Sequence, residues 1–159
     1  MRALLALTAV VWLALLILAP GLPVPMAGIV YALGSRICHQ RPERSFHLFA
    51  SQLPVCARCA GIYAGAAIGS LLALRGSIRE WLFPASPRML LVVGALPTLT
   101  TLIAEWSGAW AGGNDVRAAA GVWLGVASAL VVGRAAATLH YDGCVPRRPI
   151  ASNRPFTHI

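Results

Sequence analysis

The sequence predicts an all-α integral membrane protein: a bundle of four transmembrane helices, with a short interfacial helix before a loop that contains Cys and His. Hydrophobic residues make up 58% of the 159 residues and charged residues only 11%, whereas a soluble domain usually carries about 25% charged residues. This composition excludes a disordered chain, and the length allows one compact domain. We assign residues 1–139 to the transmembrane domain and residues 140–159, rich in Pro, Arg and small polar residues, to a flexible C-terminal tail.

Four apolar runs are the candidate spans, and they cover residues 3–19, 56–74, 89–104 and 118–134. The first run has 17 residues, which as a helix would extend about 25 Å, close to the thickness of the hydrocarbon core. A cleaved signal peptide is the alternative, but its apolar core is usually shorter, about 7–15 residues. We therefore expect a retained helix. The segment from Met26 to Ile37 is too short to span and is typical of a helix at the membrane interface.

Two of the runs carry small residues at every fourth position. In the second run these are Gly61, Gly65 and Gly69, and the fourth run contains Gly121 and Gly125. Residues four apart lie on one face of a helix, and small residues there let another helix approach closely. We expect the second and fourth helices to pack together through these glycines.

All 13 basic residues are arginines, and the formal net charge is +8. Because they lie mostly between apolar runs, anionic lipid headgroups are the expected partners of this charge, and nucleic acid is not. Eight arginines fall on the side of the two termini and five on the other. The positive-inside rule then predicts a multi-pass protein of the cell membrane with cytoplasmic N- and C-termini. Cys38, Cys56 and Cys59 would face an oxidising compartment, and Cys144 the cytoplasm.

One polar loop, residues 36–59, holds most of the reactive side chains. Thiolate and imidazole are the usual ligands of zinc and also suit copper or iron. Cys56 and Cys59 are one helical turn apart and can reach the same ion. Cys38 or His39 could supply a third ligand and His47 a fourth. The spacing predicts a metal site, with zinc as the first expectation.

Two other interpretations of the loop stay open. Cys56 follows Pro54 where a helix should begin, and a helix N-terminus and the nearby Arg58 both favour a thiolate. Cys56 and Cys59 could then form a reversible disulfide in a thiol–disulfide redox protein. Alternatively, the loop is structural and the protein is an accessory subunit that packs against a membrane-protein partner or a second copy through its glycines. No catalytic residue or substrate follows from the sequence.

The arginines near the loop also allow more than one role. Arg44 and Arg58 could pair with an acidic residue and anchor the loop over the bundle, and the candidate acidic partners are Glu43, Glu105 and Asp115. Asn114 and Arg117 would join them on the same side. The same groups could bind an anion, or could simply contact lipid headgroups.

The loop and the following helix together resemble the signature of a family of small bacterial and archaeal integral membrane proteins of unknown function. The family pattern, CHQxPxRSF followed by CxRCxGIYxG, matches Cys38 to Phe46 and Cys56 to Gly65. A later Asn-x-x-Arg followed by spaced glycines resembles Asn114, Arg117 and the glycines of the fourth run. The resemblance implies a membrane fold and a shared site, but no established activity.

Overall fold

A computed structural model describes residues 1–75 and 86–142, with side chains up to residue 136. Within these residues the chain is mostly helical, as the apolar runs predict. The helices are α1 (Arg2–Leu18), α2 (Val24–Ile37), α3 (Ala57–Leu72), α4 (Pro87–Trp106) and α5 (Asn114–Asp142). A two-stranded antiparallel hairpin, β1 (His47–Leu48) and β2 (Ser51–Gln52), lies in the motif loop. Cys144 and the predicted tail beyond Asp142 lie outside the described residues.

Among the described helices, three are long and apolar enough to cross a membrane. These candidate spans are Arg2–Gly21, Pro87–Trp106 and Asn114–Ala136. The predicted span 56–74 is a shorter apolar helix, α3, because it begins only at Ala57 and ends at Leu72. The segment predicted to lie at the interface forms α2, with 14 residues.

The glycines of α3 and α5 face each other. A Cβ atom on Gly65 would overlap the backbone of Val122, and one on Gly61 would overlap the backbone of Ala118. In the other direction, a Cβ on Gly125 would overlap the carbonyl of Ile62. Later residues of α3 contact later residues of α5, so the two helices run parallel. Because glycine has no side chain, the backbones of the two helices can touch.

Helix α1 packs against α3, and α2 packs against the segment that precedes α3. The ring of Trp12 meets that of Tyr63 edge to face, with centroids 6.1 Å apart. The end of α1 forms a small buried core with Val30 of α2 and with Val55, just before α3. Gly34 of α2 lies so close to the carbonyl of Pro54 that a Cβ would overlap it. This packing brings the end of α2 next to the start of α3.

Replacing Gly65 with Leu should separate α3 from α5 and lower the melting temperature in detergent. Overpacking of this kind costs about 1–3 kcal/mol, and more where backbone must move. Gly28→Leu is the matched control, because a Cβ on Gly28, which lies in α2, meets nothing within 4 Å. Equal melting temperatures for Gly65→Leu, Gly125→Leu and the control would contradict the close contact.

Candidate functional site

Three cysteines meet where α2 ends and α3 begins. Cys38 directly follows α2, Cys56 directly precedes α3, and Cys59 lies in its first turn. Their Sγ atoms all lie within 4.8 Å of one another. Cys38 is buried, and the other two are half-buried. All three are free thiols.

Hydrogen bonds to sulfur favour the thiolate form within this cluster. The backbone N–H of Cys56 donates to the Sγ atom of Cys38 over 3.2 Å. The Cys59 thiol and the backbone N–H groups at the start of α3 donate toward Cys56 and, against the opposing effect of burial, lower the pKa of its thiol to about 5. Groups that donate to a charged sulfur stabilise that charge. The Cys56 thiol is therefore ionised at neutral pH.

The two candidate histidines lie outside the cysteine cluster. His39 is exposed and lines a neighbouring cavity. His47 lies exposed in β1. Among the described residues, the group that could hold a metal ion consists of the three cysteines.

Two glutamines connect the parts of the loop through hydrogen bonds, a role that the sequence pattern does not indicate. The Gln40 side chain donates to the carbonyls of Tyr31 and Pro54, over 2.9 and 2.7 Å. Gln52 donates to the carbonyl of Gln40 over 2.6 Å, and the Tyr31 hydroxyl donates to the carbonyl of Gln52. Gln40 also has a left-handed backbone, with φ of 48°. These bonds hold the segment after Cys38 against the segment before Cys56.

A buried carboxylate, Glu105, gathers three arginines beside the cysteines. Its side chain is only 3% exposed and lies in the last turn of α4. Arg58 of α3 approaches it at 3.0 Å, Arg117 of α5 at 2.9 Å, and Arg44 of the loop at 3.6 Å. A carboxylate at a helix C-terminus is unfavourable without such partners, because the helix dipole is negative there. Of the three candidate acidic partners, Glu105 is the one that pairs; Glu43 and Asp115 are exposed.

Asn114 extends this cluster to the loop backbone. Its side-chain amide donates to the carbonyl of Ser45 over 3.2 Å and accepts from Arg117 over 3.0 Å. Ser45 is itself buried, and its hydroxyl donates to the carbonyl of Arg41. The four residues predicted to anchor the loop or bind an anion, Arg44, Arg58, Asn114 and Arg117, are therefore brought together.

A cavity of about 540 Å³ connects the cysteines with the arginines. Its polar wall contains the three cysteines, His39, Gln40 and four arginines, namely Arg41, Arg44, Arg58 and Arg117. Its apolar lining residues are Ile37, Ile62, Leu102 and Trp106. A ligand in this cavity would touch thiols and guanidinium groups at once.

These features define a helical membrane protein with a cysteine cluster and a basic cavity at one end of its helices. The chain belongs to the family described as "Predicted membrane protein (DUF2085)", whose model matches residues 38–131. That match contains the three clustered cysteines, Glu105 and the arginines that contact it. The family description assigns no activity.

Two uncharacterised archaeal proteins are similar to the chain. One, from Methanocaldococcus jannaschii, is 51% identical over 43 residues, which are 27% of this chain and 28% of that protein. The other, from Methanothermobacter thermautotrophicus, is 30% identical over 95 residues, which are 60% of this chain and 83% of that protein. The chain thus spans little more than a quarter of the first relative. No solved structure matches the chain.

Replacing Glu105 with Gln should strongly destabilise the protein, because it leaves Arg58 and Arg117 without their counter-charge. Removing one partner of a buried ion pair typically costs about 3–5 kcal/mol. The measurement is thermal unfolding in detergent. Glu43→Gln and Asp115→Asn are the controls, since both carboxylates are exposed. A loss of stability in either control that equals the loss in Glu105→Gln would contradict the assignment of the buried partner.

Proposed function

We propose that the protein is a membrane metal-binding protein in which Cys38, Cys56 and Cys59 together hold one ion, with zinc as the expected metal. The observation that carries this proposal is the convergence of three thiols within 4.8 Å of one another. Cys38 and Cys56 are 18 residues apart in the sequence, so the fold brings them together. The ion would be structural or would be carried as part of metal handling.

The spacing of the sulfur atoms suits a thiolate metal site. Zinc–sulfur bonds of about 2.3 Å in a tetrahedral site place neighbouring sulfurs about 3.8 Å apart. The separations here need only a small adjustment to reach that value. The N–H group that donates to Cys38 would also stabilise a coordinated thiolate, as hydrogen bonds around metal ligands commonly do.

Three protein ligands leave a fourth coordination position. All three cysteines line the 540 Å³ cavity, so this position would open into the cavity rather than into packed side chains. Zinc sites with three protein ligands and one exchangeable position are typical of catalytic rather than purely structural sites. Copper and iron are the alternative ions, because thiolates also suit them.

We further propose that α3 is the fourth transmembrane helix. It has 16 residues, but it runs parallel to α5, which is long enough to span. Its contacts begin near Ala118, and Ala73, just after α3, lies 3.2 Å from the Cβ position of Gly133. Both helices would therefore cross the same thickness of bilayer.

The four-helix arrangement would place the cysteines and Glu105 at one membrane surface and Arg2 at the other. Arg2 shares a small cavity with Ala73, Leu90 and Gly133. The larger number of arginines on that side favours a cytoplasmic N-terminus in the cell membrane, with the site facing outward. Exposed arginines at both surfaces would contact anionic lipid headgroups. The facing glycines are occupied within the chain, so a partner or second copy would have to use other surfaces.

Thiol–disulfide exchange is the second candidate function, and the lowered pKa of Cys56 favours it. Cys56 and Cys59 are free thiols one turn apart, and a thiolate at Cys56 is the form that attacks a disulfide. The site would then alternate between two thiols and a Cys56–Cys59 disulfide instead of holding a metal ion.

The metal content of the purified protein separates these functions. The protein is extracted in mild detergent without chelators or a His-tag, and its metals are measured by mass spectrometry. We expect about one ion per chain, lost in the Cys56→Ser/Cys59→Ser variant, because two of three thiolate ligands are gone. Cys144→Ser and His47→Ala are the matched controls and should keep the ion.

Other results lead to different conclusions. Loss of the ion in His47→Ala would contradict the three-cysteine ligand set. A metal-free wild type would contradict the metal proposal. If that protein carries a Cys56–Cys59 disulfide that titrates against glutathione, thiol–disulfide exchange is supported instead.

A further inference from the structure

The cavity beside the cysteines carries an excess of positive charge. Four arginines line it, and three of them share the buried carboxylate of Glu105. Four positive charges against the Glu105 carboxylate leave a balance of +3, or of +2 when the Cys56 thiol on the same wall is ionised. Glu43 and Asp115 are exposed and, among the described residues, are not part of its wall. A divalent ion held by three thiolates would add a charge of −1, so the excess would persist.

Two buried polar atoms in this cluster have unmet hydrogen-bonding capacity. Within the described part of the chain, Nε of Arg58 and Oε2 of Glu105 are buried and have no hydrogen-bond partner. Only the Arg58 donor could be satisfied by an anion, because Oε2 is itself an acceptor and lies 3.6 Å from Arg44. Arg58 is only 16% exposed and Arg117 only 11%. Partly buried cations without enough counter-charge are costly, and a bound anion would reduce that cost.

We propose that this cavity binds a phosphate-class oxyanion carried on an organic group, either a small soluble molecule or the headgroup of an anionic lipid. The guanidinium fork matches the oxygen atoms of such a group and binds them through paired hydrogen bonds. The cavity, at about 540 Å³, lies within the usual range for small organic ligands, about 300–1,000 Å³. Its apolar lining residues, Ile37, Ile62, Leu102 and Trp106, would contact the organic part.

The anion site is separate from the metal site and does not depend on it. The positive excess comes from arginines alone, and the anion would bind whether or not the cysteines hold an ion. With a metal present, the anion would lie within reach of the open coordination position.

Arg41 and Arg44 are the best residues to change. Arg58 and Arg117 hold Glu105 at 3.0 and 2.9 Å, whereas Arg44 is farther from it and 39% exposed. Arg41 is exposed and lies on the cavity wall. The Arg41→Gln/Arg44→Gln variant therefore removes two cavity charges and keeps the buried ion pairs. Arg36→Gln is the matched control, because Arg36 is an exposed arginine of α2 outside the cavity wall.

Binding is measured by ³¹P NMR on full-length protein in an uncharged detergent. The probes are inorganic phosphate and short-chain phosphatidylglycerol, with short-chain phosphatidylcholine as the zwitterionic control. We expect the double variant to bind at least about tenfold more weakly than the wild type, because charge-assisted hydrogen bonds are lost. Arg36→Gln should bind like the wild type.

Each outcome decides the proposal or its source. If only the double variant loses binding of both inorganic phosphate and phosphatidylglycerol, a general oxyanion site is supported. Selective binding of phosphatidylglycerol supports the site with a lipid as its source. Equal binding by all three proteins, or no binding to the wild type, overturns the proposal. If the double variant melts at a lower temperature, Arg41→Gln alone takes its place under the same criterion.

The same titration on the Cys56→Ser/Cys59→Ser variant separates this proposal from the metal proposal. We expect oxyanion binding to be retained there even though the metal is lost. Retained metal with no oxyanion binding in the wild type would overturn this inference alone.

Discussion

The buried carboxylate of Glu105 is the constraint on which the rest of the site depends. It lies at the end of α4 and is contacted by arginines from the loop, α3 and α5. Three separated parts of the chain are thereby held at one end of the bundle. An unpaired charge there would be expensive, so these groups have to stay together. The loop that carries Cys38 is connected to this cluster through Arg44 and through the bond from Asn114 to Ser45.

The glycines of α3 and α5 determine where this charge cluster forms. Because the backbones touch at Gly61 and Gly121, the first turns of the two helices lie side by side. Arg58 and Arg117 are in those turns, so close packing brings two guanidinium groups to the same place. Cys59 is one residue beyond Arg58, and the thiols therefore share the cavity with the arginines. Helix packing, charge pairing and cysteine convergence are thus one connected arrangement.

Local patterns predict much of this structure, and long-range packing decides the rest. Apolar runs predict the helices, and the one-turn spacing predicts that Cys56 and Cys59 lie together. Cys38 rather than His39 lies with Cys56 and Cys59, and the Gln40 side chain bonds the segment after Cys38 to Pro54; no local pattern indicates this long-range packing. Charge alone does not distinguish the three candidate partners of the arginines, Glu43, Glu105 and Asp115. The position of α4 places Glu105 beside them. Helix α3 is shorter than the predicted span 56–74 because Cys56 precedes its first residue and the helix ends at Leu72.

The identity of the atoms around a bound ion tests the central claim most directly. X-ray absorption at the zinc edge of the metal-loaded protein counts the sulfur and nitrogen neighbours and measures their distances. We predict three sulfur neighbours at about 2.3 Å with one lighter oxygen or nitrogen neighbour. Two sulfurs with two imidazole nitrogens would contradict it, because His39 or His47 would then have to replace Cys38 and the described convergence of three thiols would not be the binding site.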